Sequence, residues 1–418
     1  MGRVTQLARR LTLVDAVVIG LGSMIGAGVF AVWAPAAAAA GGGLFIGLVL
    51  AFVVAYCNAT ASAQLAASYP TSGGTYIYGR EVLGDWWGFL AGWGFVIGKT
   101  ASAAAMALTF SAYLVPEGWW QRPLAALAVV VLVAVNYHGV TRTAALTRVI
   151  VAVVLVVLVW AIVAAWLSWA PGVWAGVVVF ESGPYGVLQS AGLLFFAFAG
   201  YARIATLGEE VVDPQRTIPR SILVALGLAV VVYAFVGAGV VGALGAEALA
   251  SSTAPLVDAV GAGTGSWQTW LVRIGGAVAS LGALLALVAG IGRTSLAMAR
   301  NGDLPRPLAS VHPRYQVPHV AEITLGAVVA LLVLAVDLRG VIGFSSFGVL
   351  LYYFVANLAA FRQREGRLFP RWLQALGMTL CLLLVVTLPW QSVLLGVAVY
   401  VVGVLGRAVA LRRGASAS

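Results

Sequence analysis

Apolar runs recur along this chain at intervals of roughly 30 residues, each long enough to cross a hydrocarbon core of about 30 Å. Hydrocarbon offers no partner to a bare N–H or C=O, so runs of that length fold as helices. With 62% of its 418 residues hydrophobic and only 9% charged, the chain carries more apolar surface than a water-soluble fold could cover. The expected fold is an all-α polytopic membrane protein. Twelve spans are read at about 11–40, 43–67, 84–114, 123–138, 145–169, 185–207, 219–245, 268–297, 319–336, 340–361, 371–388 and 391–411. The loops between them are too short for a soluble domain.

A net charge of +10 would suit nucleic acid, but its placement suits a bilayer. With a cytoplasmic N-terminus, twenty arginines fall in inner segments, and only Arg122, Arg273 and Arg339 fall outside. That bias places both termini of an integral, inner-membrane protein in the cytoplasm. Trp119, Trp120, Trp166, Trp169, Trp267, Trp270 and Trp390 gather at the outer interface, where indole rings settle. Cys57 and Cys381 lie within spans, so no structural disulfide is expected. The first apolar run is too long for a signal peptide's apolar core, so no cleavable signal is expected either.

Two spans are rich in glycine at membrane depth. The first holds "GLGSMIGAGVF" and the sixth "FFAFAGYARIAT", centred near Gly200. Such clusters weaken a helix, and unwound backbone survives in a membrane only against protein or a water-filled cavity. The same glycines also fit a small-xxx-small pattern that lets helices pack closely, so packing and unwinding both remain open for either span alone. The two spans are five apart, the spacing expected of two five-helix halves in inverted repetition, and paired interruptions of that kind point to a transporter's binding site. A half-helix N-terminus suits a carboxylate, and the facing C-terminal carbonyls suit an ammonium. One pocket with both is matched to an α-amino acid.

Four motifs carry a resemblance to the amino acid–polyamine–organocation superfamily, nearest its cationic-amino-acid-transporter-like branch. They are "GLGSMIGAGVF" at 20–30, "YPTSGGTYIYGREVLG" at 69–84, "FFAFAGYARIATLGEEVVDPQRTIPRSI" at 195–222 and "AMARNGDLPRPLASVHPRYQVP" at 297–318. The resemblance spans about residues 10–365 and implies a five-plus-five inverted repeat with discontinuous helices 1 and 6, plus two C-terminal helices. The organisation implied is a cytoplasmic N-terminus at 1–10, repeats at 11–170 and 184–361, helices 11 and 12 at 371–411, and a cytoplasmic tail at 412–418. It further implies secondary transport by alternating access. By motif, the substrate carboxylate would meet the amides of Ile25, Gly26, Ala27 and Gly28. The ammonium would meet carbonyls near Met24, Phe196, Ala197 and Ala199, with Phe198 a candidate for gating. The plain alternative for Phe195, Phe196 and Phe198 is packing. Glu209, Glu210, Arg216 and Arg220 are expected to form a salt-bridged hinge at the inner mouth. His138, His312 and His319 lie at cytoplasmic loops and make no convincing proton relay.

The chain departs from the family at its ion sites. Many proton-dependent members have a lysine on the fifth span where Val154 stands here. Hydroxyl ligands for sodium are missing from "LGALLALVAGIG" at 281–292, with Ser280 and Thr294 only bracketing it, so sodium coupling is not expected. The acidic residue usual on the third span of cation carriers is replaced by Gly98 and Lys99, the only lysine in the chain. Lys99 lies fifteen residues from Gly84, about 22 Å along a helix, too deep for comfortable snorkelling. A charge there marks function by default. Two roles stay open: a built-in cation filling a vacant ion site near the first and eighth spans and cycling a proton, or a static lysine bonded to helix-end carbonyls. No acid lies deep in any span, so a neutral amino acid is expected as substrate, an anionic or cationic one being the alternative.

A sensor that keeps this fold but transports nothing is a rival reading. So is a retinal protein, although those hold their lysine in the last of seven spans. No metal-ligand cluster or nucleophile–base pair stands at membrane depth, so neither enzyme chemistry nor a cofactor is implied.

Overall fold

The computed structural model describes residues 11–26, 28–70, 73–138, 144–169, 182–208, 210–263 and 266–415. Among them the chain is helical apart from turns, short 3-10 segments and one isolated parallel bridge between Leu11 and Val211. The first span is three helices, α1 (Leu13–Ile25), α2 (Gly28–Ala31) and α3 (Trp33–Ala40). A capping box opens α1: Asp15 N–H donates to Thr12 Oγ1, while the Asp15 carboxylate accepts from Thr12 N–H. Gly41, with φ 53°, ends α3 and turns the chain into α4 (Leu44–Ser68).

A short helix, α5 (Thr75–Leu83), precedes α6 (Asp85–Leu114). Then come α7 (Gln121–Tyr137), α8 (Ala144–Leu167), α9 (Gly183–Phe198) and α10 (Ala202–Ala205). Next, α11 (Pro214–Ser251) is kinked at Gly245 and runs on to a short α12 (Pro255–Gly261). The remainder is α13 (Ser266–Arg300), α14 (His319–Ala335), α15 (Leu338–Arg362), α16 (Arg371–Thr387) and α17 (Trp390–Ala415).

All twelve apolar runs form helix, with boundaries close to those read from the sequence. Nine helical stretches among the described residues are long and apolar enough to cross a membrane. Three further apolar helices, α7, α14 and α16, have 17 residues each. At 1.5 Å per residue they reach about 25 Å, short of a full hydrocarbon core.

Burial ranks the helices. The apolar stretch of α6 is 83% buried, that of α8 39% and that of α17 11%, which makes α6 a central element and α17 a peripheral one. Packed against α6 are α13, α15, α14 and α7. Several buried polar groups of the bundle pair across helices, where hydrocarbon offers no other partner. The Ser102 and Ser345 hydroxyls share a 2.7 Å hydrogen bond between α6 and α15. Between α4 and α15, Asn357 Nδ2 donates to Asn58 Oδ1 at 2.6 Å. Gln64 on α4 donates to the Ala360 carbonyl and accepts from the backbone N–H groups of Leu368 and Phe369, tying α4 to the chain on both sides of α15's end.

An ionic knot centres on Asp303. Asp303 accepts from Tyr76 at 2.8 Å and from Arg80 at 3.0 Å, and its other oxygen lies 2.9 Å from Arg407 Nε. The Arg407 guanidinium also stacks over Trp86 and Phe89. Burial, reinforced by the Asp303 carboxylate, pushes the Tyr76 phenol up to about 12. Burial alone would lower Arg80, but Tyr76, Asp303 and Asp85 outweigh it and hold its guanidinium above the ordinary value. One loop aspartate thus joins α5, the turn after α13 and α17.

Candidate helix-break site

The first span opens where its glycines lie. Helical geometry ends at Gly26 (φ −33°, ψ −118°) and resumes at Gly28, while Ala27 lies outside the described residues. The sixth span narrows instead of opening: α9 ends at Phe198, Ala199–Tyr201 forms a 3-10 turn, and α10 continues the path. A 3-10 turn inside a helical run is a recognised hinge element. The discontinuity of the sixth helix is therefore milder than that of the first.

The two breaks touch. A Cβ on Gly200 would lie 2.4 Å from the Ser23 carbonyl group and 2.5 Å from Met24 N, and one on Gly28 would lie 2.9 Å from Ala197 Cα. Only glycine allows those crossings. The contact brings four half-helix ends together. Around it α1 is in contact with α2, α9 and α10, and α2 with α9.

Several of the expected contact groups already have partners within the chain. Gly26 N–H donates to Gly22 O at 3.1 Å, in the last turn of α1, so it is not free as an anion donor. Of the four amides expected to meet a carboxylate, Ile25 lies inside α1 and Ala27 is not described, which leaves Gly28 at the start of the outer half-helix. On the carbonyl side, the Tyr233 hydroxyl of α11 lies 2.8 Å from Met24 O and 2.9 Å from Ala197 O. Lys99 Nζ donates to Ala199 O at 3.2 Å.

Phe195, Phe196 and Phe198 are all buried. Phe198 packs edge-on against Tyr233 at 4.9 Å and lies 6.4 Å from Phe52, while Phe195 meets Tyr353 at 5.9 Å.

Lys99 is 7% exposed and has no ion pair among the described residues. Its hydrogen bond runs to a carbonyl of the sixth span. A helix-end carbonyl suits it, because α9 ends there and a cation complements a helix C-terminus. Val154 is 4% exposed and packed in the apolar core. One turn below the Lys99 anchor, Arg203 bonds to Thr206 Oγ1 at 3.0 Å and forms no ion pair among the described residues.

Of the four residues expected to form a salt-bridged hinge, Glu210 and Arg220 form no ion pair among the described residues. Glu209 lies outside the described residues, and the one ion pair of the loop between α10 and α11 among the described residues joins Arg216 to Asp213 at 4.0 Å, both exposed. Backbone pairing holds the loop instead: Leu11 N–H donates to Glu210 O and Val212 N–H to Leu11 O, each at 3.0 Å. A salt bridge that sequence reading missed joins Asp15 on α1 to Arg148 on α8. The three histidines gather with Tyr137 and Tyr315 at the inner end of α7, with His312 and Tyr315 rings 4.8 Å apart, and none bonds to Lys99.

Two interrupted helices crossing inside an apolar helical bundle are the architecture of a membrane carrier, and the chain belongs to the amino acid permease family, whose profile matches residues 11–405. It is 58% identical to an "Uncharacterized transporter" of Mycobacterium tuberculosis over 403 residues, 96% of this chain and 90% of that one. It is 26% identical to the branched-chain amino acid permease of Bacillus subtilis over 434 residues, covering 94% and 92%. To cationic amino acid transporter 4 of Mus musculus it is 30% identical over 382 residues, 84% of this chain and 59% of that one.

Proposed function

We propose that this permease is a secondary active transporter of neutral amino acids that works by alternating access. It has twelve spans in a five-plus-five inverted repeat with two added helices, and both termini are cytoplasmic. The reading is carried by one observation: the two helix breaks are in direct contact at Gly200 and Gly28. Their half-helix ends offer amide dipoles and carbonyls at the same crossing, which matches the two charged groups of an α-amino acid.

The carboxylate is read by the amides from Gly28 onward. The ammonium is read by the carbonyls around Met24, Phe196, Ala197 and Ala199, and Phe198 packs behind it. Lys99 is the built-in ion of the site, coupling transport to protons or to exchange and not to sodium. Lysine beside the break, with no carboxylate paired to it among the described residues, disfavours a cationic side chain by like-charge repulsion.

Proteoliposome uptake of the twenty proteinogenic amino acids, with and without a pH gradient and with sodium or potassium, tests the reading. Neutral amino acids are expected to accumulate regardless of sodium. Preference for arginine or lysine, or strict sodium dependence, overturns it. Lys99→Ala and Lys99→Arg variants over a pH series test the coupling role, and an active variant with unchanged pH dependence removes it.

A further inference from the structure

A polar cavity of about 280 Å³ lies at the end of α6 remote from the Asp303 knot, near the lower bound for small-molecule sites. The knot marks one end of α6, because Arg407 donates to the Asp85 carbonyl, and the cavity marks the other, 30 residues along. With both termini cytoplasmic, the cavity faces outward. Its walls are the turn after α6, with Glu117, the α11–α12 connection, with Ser252 and Asp258, and α13, with Arg273.

The charges in these walls have both signs and do not satisfy one another. No ion pair joins Arg273 to Asp258 or Glu117 among the described residues. The Arg273 guanidinium donates to Tyr113 O at 3.4 Å, which leaves most of its donors unused. Asp258 Oδ2 accepts from Ser252 Oγ at 2.5 Å, and Ser252 Oγ accepts from Ala254 N–H at 3.2 Å, so this carboxylate is held in place. A guanidinium fork matches a carboxylate, and a fixed carboxylate across the gap from it matches an ammonium. A ligand with both groups on one carbon closes that gap.

Tyr113 connects the cavity to the helix crossing. It is fully buried, and its hydroxyl donates to Phe30 O of α2 at 3.0 Å and accepts from Leu256 N–H of α12 at 3.4 Å. The Phe30 and Tyr113 rings meet edge-on at 5.3 Å. One residue thus separates Arg273 from the half-helix that begins at Gly28.

We infer that this cavity is a second, peripheral amino acid site, with the ligand's carboxylate on Arg273 and its ammonium on Asp258 and Glu117. The inference takes its ligand class from the amino acid reading and adds a site outside the crossing. Charges this open to solvent bind weakly, on the order of millimolar, so the site concentrates substrate at the mouth without retaining it.

The test is saturation-transfer NMR on the full chain in detergent, with L-alanine titrated through the millimolar range. L-lactate, which lacks the ammonium, and L-alaninamide, which lacks the carboxylate, are the paired probes. Arg273→Gln and Asp258→Asn should each weaken L-alanine binding about fivefold, the upper worth of one exposed charged pair. Arg273→Gln should leave L-alaninamide unaffected, and Asp258→Asn should leave L-lactate unaffected, since each lacks the group that the lost charge reads. Equal weakening of all three probes is a structural effect and overturns the inference, as does unchanged L-alanine binding in both variants.

Should either variant fail to fold, Glu117→Gln alters an exposed side chain instead. L-alanine weakened with L-lactate unchanged supports the site, and both unchanged overturns it. A wild type that accumulates amino acids in proteoliposomes, beside variants that bind L-alanine equally well, removes the inference alone. A wild type that accumulates none of the twenty overturns the transport reading, and this inference falls with it.

Discussion

Replacing Lys99 by methionine probes the electrostatics of the helix crossing most directly. The substitution keeps an unbranched side chain of similar length and deletes an ammonium whose hydrogen bond runs 3.2 Å to Ala199 O. Two opposing terms set the outcome. Losing a hydrogen bond made by a charged group costs about 1.5–3 kcal/mol. Removing a charge from membrane depth returns about 2.5–3.5 kcal/mol on insertion scales. The terms nearly cancel, with a remainder of about 0–2 kcal/mol in favour of methionine, because no carboxylate repays the lysine's burial. At about 1 °C per kcal/mol for a chain of this length, the melting temperature of Lys99→Met in detergent should equal the wild type's or exceed it by up to about 2 °C. Fluorescence-monitored melting decides this. A melting temperature lowered by more than about 5 °C would refute the reasoning, since it would require a partner worth more than one neutral carbonyl. A stable variant then separates roles in proteoliposomes: a proton-carrying lysine predicts loss of pH-driven accumulation with exchange retained, and a fixed cation predicts that both survive.

Other substitutions have expected outcomes of different size. Gly200→Ala drives a Cβ to within 2.4 Å of the Ser23 carbonyl group, so it should cost about 1–3 kcal/mol and abolish saturable substrate binding, measured by titration calorimetry. Gly227→Ala on α11 meets nothing within 4 Å and should instead stabilise by about 0.5–1 kcal/mol, leaving transport intact. Asp303→Asn strips the charge from a carboxylate that is 2% exposed and faces Arg407 and Arg80, so unfolding should become easier by about 3–5 kcal/mol. The Tyr76 phenol, raised to about 12 in the fold against an ordinary 10, gives stability that is whole below pH 10 and fades as pH rises towards 12. Tyr76→Phe should flatten that alkaline loss in melting curves taken across the range.

How far the site was legible depended on the kind of interaction. Gly26, Gly28 and Gly200 announced themselves because a glycine cluster in a lipid-facing run has few structural uses, and the helices do change at those positions. Tyr233 did not, since one tyrosine in "VVVYAFVG" reads as an interfacial or packing residue until its hydroxyl is seen between two carbonyls. Nor could sequence assign Arg148 to Asp15, or replace the expected acidic hinge with backbone pairing at Leu11. Charges near a helix end suggest partners, but they do not choose among them.

The sequence by itself determined the helical class, the apolar spans and the two glycine-weakened positions. Those follow from the solvent: hydrocarbon enforces helices of a set length, and glycine marks where a helix gives way. Only the tertiary structure decided which donors meet the freed carbonyls. Tyr233 lies 209 residues from Met24 and Lys99 lies 100 residues from Ala199, so both pairings depend on how the helices pack and not on local spacing. Hydrogen bonds act over about 3 Å, a scale that residue order along a membrane bundle leaves unspecified.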